Sequence, residues 1–526
     1  MHGLPPGPRS PVALQTLHYG LAPYGFFESA HRAYGDVFTV RPIGETWVIL
    51  AHPDAVKELY THGPDEVDSG VANMALRPLL GTRNVLLLDG PEHLRRRKLV
   101  LPPLHGERMR EYEDVIRDAT RREIATWPLG RAAATLPRMH AITLRVVLRA
   151  VFGVEDGPRL ERLGGLLRRL TSWTTDARRA LIFGFLGPDR LMGLDGFRRQ
   201  AAAVDAELYA EIARRREAAD LGDRADILSL LLQARDEDGA TLTDAELRDE
   251  LMTLLVAGHE TTAAALSWAL TELAKDPAAQ ERLAAGEPGL AEAAITETLR
   301  LHPPVPLGSL RRLRRPMTIA GWPLPAGATV ASCSLLVHRR ADVYPQPTHW
   351  QVGRFLDARP PAGGWLPFGG GVRRCVGAAF AQFEAKTVLD EVVRALELRP
   401  AGAPRRGTAR RGIVIVPRRG GPVVARQRPR VTARQQASAA TASSPSPERP
   451  EMLYIRRTSS PSARGLTCLT SSPRTTRVRA APSRSPSFLP RRLLVAAAAT
   501  RTASSWRAWT RPAPATTHGA ISSTRN

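Results

Sequence analysis

Residues 368–377 read FGGGVRRCVG, and no other ten residues restrict the chain so tightly. Three consecutive glycines allow backbone angles closed to other residues. Two arginines and Cys375 follow, just before a pattern that predicts a helix from about 377 to 397. A cysteine placed for packing belongs among Leu, Val and Ile. One placed for a disulfide needs a partner, and neither Cys333 nor Cys468 is an obvious candidate among the three cysteines of the chain. Backbone N–H groups of a glycine-rich turn and the positive end of the following helix instead stabilise a thiolate. The loop reads as a holder for a sulfur anion.

The rest of the chain must supply a large core, and 43% apolar residues suffice. Few cysteines suit a reducing compartment. The opening MHGLPPGPRSPVALQTLHYG has no long apolar run, so neither a signal peptide nor a membrane anchor is expected there. These features predict a soluble, cytoplasmic protein. The net charge of +23 suggests nucleic acid, but residues 431–526 hold 15 Arg and no Lys against two Glu and no Asp, more than half of the excess. The remainder is only modestly basic.

Residues 1–45 carry loop and turn signals. HRAYGDVFTVRPIGETWVILA then predicts a short helix and two strands, VFTV and WVIL, around a turn at Gly44. From about 90 to 300 the spacing is helical, with Asp244 as N-cap of a long central helix and Pro277 beyond its end. After Pro303 short strands are expected, then the cysteine loop, its helix, and a last strand, GIVIVPRR. The compact domain is expected to span 1–425. Residues 426–526, rich in Arg, Ser, Pro and Ala, lack the apolar surface to repay ordering and are expected to be disordered. Two readings of that extension are weighed: a basic tail for nucleic acid or membrane, and, preferred, a frameshift or read-through of a GC-rich gene.

AGHETT on the long helix, ETLR on a later one, then a β-rich stretch, RF and the cysteine loop follow in order. In this the sequence resembles the cytochrome P450 family, in its soluble bacterial form, over about residues 1–425. Phe368, Gly371, Arg373, Cys375 and Gly377 match every fixed position of that family's Phe-x-x-Gly-x-Arg-x-Cys-x-Gly pattern. The resemblance implies a mainly α fold with small β-sheets, a triangular prism crossed by a long central distal helix. It implies haem b (iron protoporphyrin IX) ligated by Cys375, O2 as co-substrate, and a haem-thiolate monooxygenase acting on a small organic molecule.

Further roles follow from the same resemblance. Phe368, Gly369 and Gly377 would shield the sulfur and let the backbone approach the porphyrin, with Ala257 on the opposite side. His93, Arg97, Arg311 and Arg373 would hold the haem carboxylates. Glu260 and Thr261 match an acid–alcohol pair for proton delivery, in a helix expected to open locally. The competing reading has Thr261 bonded to the carbonyl of Ala257 and Glu260 solvated. Glu297, Arg300 and Arg354 would form a buried structural network, although Gly353 stands where Glu is common.

No flavin or nicotinamide fingerprint is present in the sequence, so electrons must come from elsewhere, and Arg95, Arg96, Lys98 and Arg374 are expected to attract an acidic ferredoxin or flavodoxin, served by its reductase. Apolar segments at 68–90, 171–195, around Ala257 and at 304–308 favour a lipophilic substrate such as a fatty acid, terpenoid, steroid or polyketide. Two alternatives are a haem-thiolate isomerase or gas sensor, against which Glu260 and Thr261 argue, and a nucleic-acid-binding protein, which only the tail supports.

Overall fold

Thr243, not Asp244, caps the longest helix, Asp244–Leu273. The Glu246 amide donates to the Thr243 hydroxyl, and the Glu246 carboxylate accepts the Thr243 N–H at 2.8 Å. This reciprocal box satisfies two donors that a helix start leaves orphaned. Asp244 falls into the first turn and accepts from Arg216 at 2.7 Å instead. The computed structural model describes residues 3–106, 108–153, 157–176, 189–190, 192–402 and 407–429.

The 30-residue helix is about 45 Å long at the usual rise per residue. It is buried along most of its length, as a helix apolar on several faces must be. Its main neighbour is the helix Thr135–Phe152. A Cβ added at Gly258 would lie 3.3 Å from Val147 Cγ2 of that neighbour, so the glycine that costs helix propensity serves close helix–helix approach. Helices Glu113–Ala125, Asp195–Arg216, Leu290–Leu301 and Ala378–Ala395 pack around the same core. Mainly helical architecture with small sheets is therefore observed.

Short strands meet in a five-stranded sheet, in the order Val37–Val40, Trp47–Leu50, Thr329–Ser332, Arg311–Leu313, Val67–Asp68. VFTV and WVIL stand where the β-branched pattern placed them, paired antiparallel from Val37↔Leu50 to Val40↔Trp47. Gly44, with φ of 82°, supplies the left-handed turn residue between them. Trp47–Leu50 then pairs in parallel with Thr329–Ser332, which carries the strand of Arg311 beside the N-terminal hairpin.

Two differences from the sequence pattern have physical causes. The opening segment holds helices Val12–Leu21 and Pro23–Tyr34, because Pro11 and Pro23 sit at an N-cap and a first helical position, where a missing N–H costs nothing. The last described strand is Pro422–Gln427, beyond GIVIVPRR. It pairs with Ala132–Ala134 and Leu396–Pro400, and the Arg428 amide donates to the Ala395 carbonyl at 2.9 Å. Arg426 and Gln427, the first residues of the extension expected to be disordered, thus belong to a strand, while residues 430–526, with Cys468, lie outside the described residues. Among the described residues no helix is long and apolar enough to cross a membrane.

Candidate active site

The cysteine loop is shaped by its glycines. Gly369 and Gly371 hold φ of 64° and 63°, left-handed values that side chains resist. At Gly370 a Cβ would fall 2.3 Å from Tyr60 Cδ2, so the Tyr60 ring lies against bare backbone. The Cys375 amide donates to the Phe368 carbonyl at 3.0 Å, closing the turn. Phe368 meets Trp365 edge-on at 5.8 Å. A Cβ at Gly377 would meet nothing within 4 Å, which leaves that side of the loop open. Helix Ala378–Ala395 begins at the next residue.

Cys375 is reachable by solvent yet largely enclosed by protein. Loss of water raises its thiol pKa, while the Gly377 amide and the charges of Arg97 and Arg374 oppose the rise. Those three influences act in the direction a thiolate requires.

Cations gather beside this loop. His93 and Arg97 come from one helix, Gly90–Val100, and Arg311 from the central sheet. Arg311 is fully buried, donates through Nη2 to the Gly370 carbonyl at 3.0 Å, and lies over the Tyr60 ring at 4.8 Å. Its Nε and Nη1 have no partner, nor has Nδ1 of buried His93. Burial, then the charges of Arg373 and Arg97, hold the His93 imidazolium down to about 4. Burial also lowers Arg373, to about 10, against the pull of Asp89. Buried donors without partners, amid crowded like charges, are what an anionic group would relieve. A tetrapyrrole with two carboxylates and a metal for the sulfur fits this donor set.

Arg373 is partly committed already. It bonds the Leu88 carbonyl at 2.6 Å and Asp89 at 2.5 Å. Asp89 is a residue that sequence reasoning missed. Its place before Gly-Pro marks an N-cap, but its carboxylate accepts instead from the amides of Ser69, Gly70 and Val71 at 2.7–3.0 Å. It ties the 68–90 segment to the cysteine loop.

Glu297, Arg300 and Arg354 come together in a buried network. Arg300 grips Glu297 with two bonds, at 2.6 and 2.8 Å. Arg300 also donates to the carbonyls of His338, Pro347 and His349, and Arg354 to that of Pro345. Helix Leu290–Leu301 is thereby fastened to the chain before the cysteine loop, with Gly353 no obstacle.

At AGHETT the long helix continues without interruption, so the expected local opening is not seen. The Thr261 hydroxyl donates to the Ala257 carbonyl at 2.8 Å and Thr262 to Gly258 at 3.1 Å. Ala257 is exposed and Val256, Gly258 and Thr261 are half-buried in a helix that is mostly buried, so this face borders open space. Glu260 is not solvated. It is buried with Oε2 3.3 Å from His140 Nε2, a neighbour that no motif announced.

The cationic docking patch is corrected. Arg96 is fully buried, bonded to Glu246, Glu250 and the Arg83 carbonyl, because the acidic start of the long helix draws it inward. Arg95 pairs with Asp236, and Lys98 with Glu237 at 2.6 Å. Arg374 alone of the four remains exposed without a counter-charge among the described residues. Of the suggested substrate segment 171–195, residues 177–188 and 191 lie outside the described residues.

The profile of the family described as Cytochrome P450 matches residues 4–285 and 289–421. A relative from Mycobacterium tuberculosis (strain ATCC 25618 / H37Rv) bearing the designation cytochrome P450 135A1 is 39% identical over 427 residues, 80% of this chain and 94% of its own. One from Mycobacterium bovis designated cytochrome P450 135B1 is 40% identical over 458 residues, 84% and 96% of the two chains. Among solved structures, retinoic acid-bound cyanobacterial CYP120A1 superposes with a TM-score of 0.70 at 24% identity, covering 81% of this chain and all of that one. The cytochrome P450DA heme domain gives 0.68 at 23%, covering 81% of this chain and 98% of its own.

Proposed function

The chain belongs to the cytochrome P450 family, and from that premise we propose that it hydroxylates or epoxidises a lipophilic organic substrate with electrons from a separate ferredoxin or flavodoxin. As a member of that family it is a haem-thiolate monooxygenase that uses O2, a substrate and a redox partner. Haem, once bound, supplies the activation of dioxygen.

The observation that carries the reading is the convergence on Cys375. The Gly377 amide and Arg97 favour its thiolate, and His93 and Arg311 present unpartnered buried nitrogens. Iron protoporphyrin IX, haem b, suits this set because its two carboxylates would take the free donors of Arg311, His93 and Arg97, with Arg373 shared with Asp89. Phe368 and the closed turn would limit water at the sulfur. On the other side, Thr261 would release the Ala257 carbonyl to donate a proton, and Glu260 would replace it. The Glu297–Arg300–Arg354 network would hold the loop in register. Exposed Arg374 would meet an acidic electron donor.

We place the protein in the cytoplasm, where Cys333 and Cys375 stay as thiols. We place the end of the catalytic domain past the sequence limit of 425, at or beyond Gln427, because Arg426 and Gln427 belong to its last described strand. Apolar side chains of Val71–Leu76 and of 304–308 favour a lipophilic compound. The test is the carbon-monoxide spectrum of the reduced haem protein, followed by a spin-state screen of fatty acids, terpenoids, steroids and polyketides. The expected result is a thiolate-type spectrum and a shift with at least one apolar class. A neutral-histidine spectrum would overturn the assignment of Cys375.

A further inference from the structure

We propose that His140 is the positioning residue through which Glu260 exchanges protons with solvent, so that the acid of the long helix works as a histidine–carboxylate pair. This deepens the monooxygenase reading and rests on it.

The pair is set by two packed helices. His140, on Thr135–Phe152, places Nε2 3.3 Å from Glu260 Oε2 on Asp244–Leu273. Both atoms are buried and, although 3.3 Å apart, neither makes a hydrogen bond among the described residues. A second imidazole is close, since His259 Nε2 lies 3.7 Å from Glu260 Oε1 and its ring meets His140 edge-on at 6.0 Å. His259 is sealed in, however: its Nδ1 holds the Leu255 carbonyl at 2.6 Å and its own carbonyl accepts from Thr143. The His140 side chain retains 19% exposure although its Nε2 is covered, so the open part of the ring is on its other atoms. Of the two rings, only His140 combines a nitrogen on the acid with access to water.

The charged and titratable groups facing the pair are Glu260 and His259 on the long helix, Arg411 on the strand Thr408–Arg411, and Arg168 on Pro158–Thr175, which bears on His259. Burial, with His259 and Arg411 adding to it against Glu260, brings the His140 imidazolium down to about 4. A neutral ring carries one N–H and one lone pair. It can donate its Nε2 proton to the carboxylate while Nδ1 takes one from water. The carboxylate gains a proton, solvent loses one, and the ring ends neutral in its other tautomer. A ring flip, or back-exchange with water, resets it.

Two measurements on the haem-loaded protein separate anchoring from exchange. Infrared difference spectra against Glu260→Gln follow the bands of the Glu260 carboxyl group. Oxidation of guaiacol by hydrogen peroxide follows proton exchange without any redox partner. His140→Phe should move those bands, because the carboxyl group loses the imidazole it faces, and slow guaiacol oxidation about tenfold. His140→Gln keeps an amide N–H in reach of the carboxylate but cannot relay, so it should restore the bands and leave the rate low. A wild-type rate in His140→Gln would overturn the relay. Unmoved bands in His140→Phe would overturn the pairing. If His140→Phe moves the bands while the haem-loaded wild type gives a neutral-histidine carbon-monoxide spectrum, the pair stands and the monooxygenase reading fails, taking the relay with it.

Discussion

Nε of Arg354 lies 3.1 Å from each carboxylate oxygen of Glu297, although the two residues are 57 positions apart. Arg300 completes the group, and both it and Glu297 are shut off from water. Two guanidinium groups thus share one carboxylate, with backbone carbonyls taking the remaining donors.

Removing the shared anion should be severe. Glu297→Ala leaves buried arginine charge uncompensated, a loss of about 3–5 kcal/mol. The expected outcome is a large fall in the urea midpoint together with poor haem retention, measured on the same preparation. A midpoint within experimental scatter of the wild type would count against the network as a fastening.

The glycine loop makes a steric prediction. Gly370→Ala drives a methyl group into the Tyr60 ring. We expect the thiolate-type carbon-monoxide spectrum to be lost while far-ultraviolet circular dichroism is retained. Combined with Tyr60→Ala, the effect of Gly370→Ala should shrink, a coupling that independent sites would not show.

Arg311 has two unbonded nitrogens in a dry position. Arg311→Met keeps much of the volume and removes the donors. Haem transfer to apomyoglobin should accelerate about tenfold or more, the equivalent of one charge-assisted hydrogen bond of about 1.5 kcal/mol. Unchanged transfer would remove Arg311 from the haem-holding set.

Acid should destabilise the fold through a buried neutral histidine. His338 accepts the Leu366 N–H at Nε2 and engages the Arg300 carbonyl through Nδ1, so protonation would destroy an acceptor. Burial holds its imidazolium down to about 3. Unfolded histidine takes its proton near pH 6.5, so between there and the folded value the unfolded state binds more protons. Stability is therefore full above about 6.5 and falls as pH drops, by about 1.4 kcal/mol per unit for this residue. Urea midpoints from pH 7 to 5 test this, and His338→Gln should flatten the slope.

What was legible in the sequence is what depends on neighbours along the chain. The cysteine loop could be read because its left-handed turns at Gly369 and Gly371 are local demands that few residues meet. The Glu297–Arg300 contact is a three-residue helical spacing, and VFTV and WVIL are short β-branched runs around a turn. The residues haem would need carried motifs of the same local kind.

Tertiary packing decided the rest. A charge cluster such as RRRK names cations but not their counter-ions, and the acidic start of the long helix buried Arg96 while leaving Arg374 outside. Asp89 reads as a helix cap, yet it braces three amides and Arg373 from across the fold. His140 has no signature at all: it faces Glu260 because two distant helices pack closely where Gly258 lets them. Side-chain partners separated by a hundred residues are chosen by packing and desolvation, which exist only once the chain is folded.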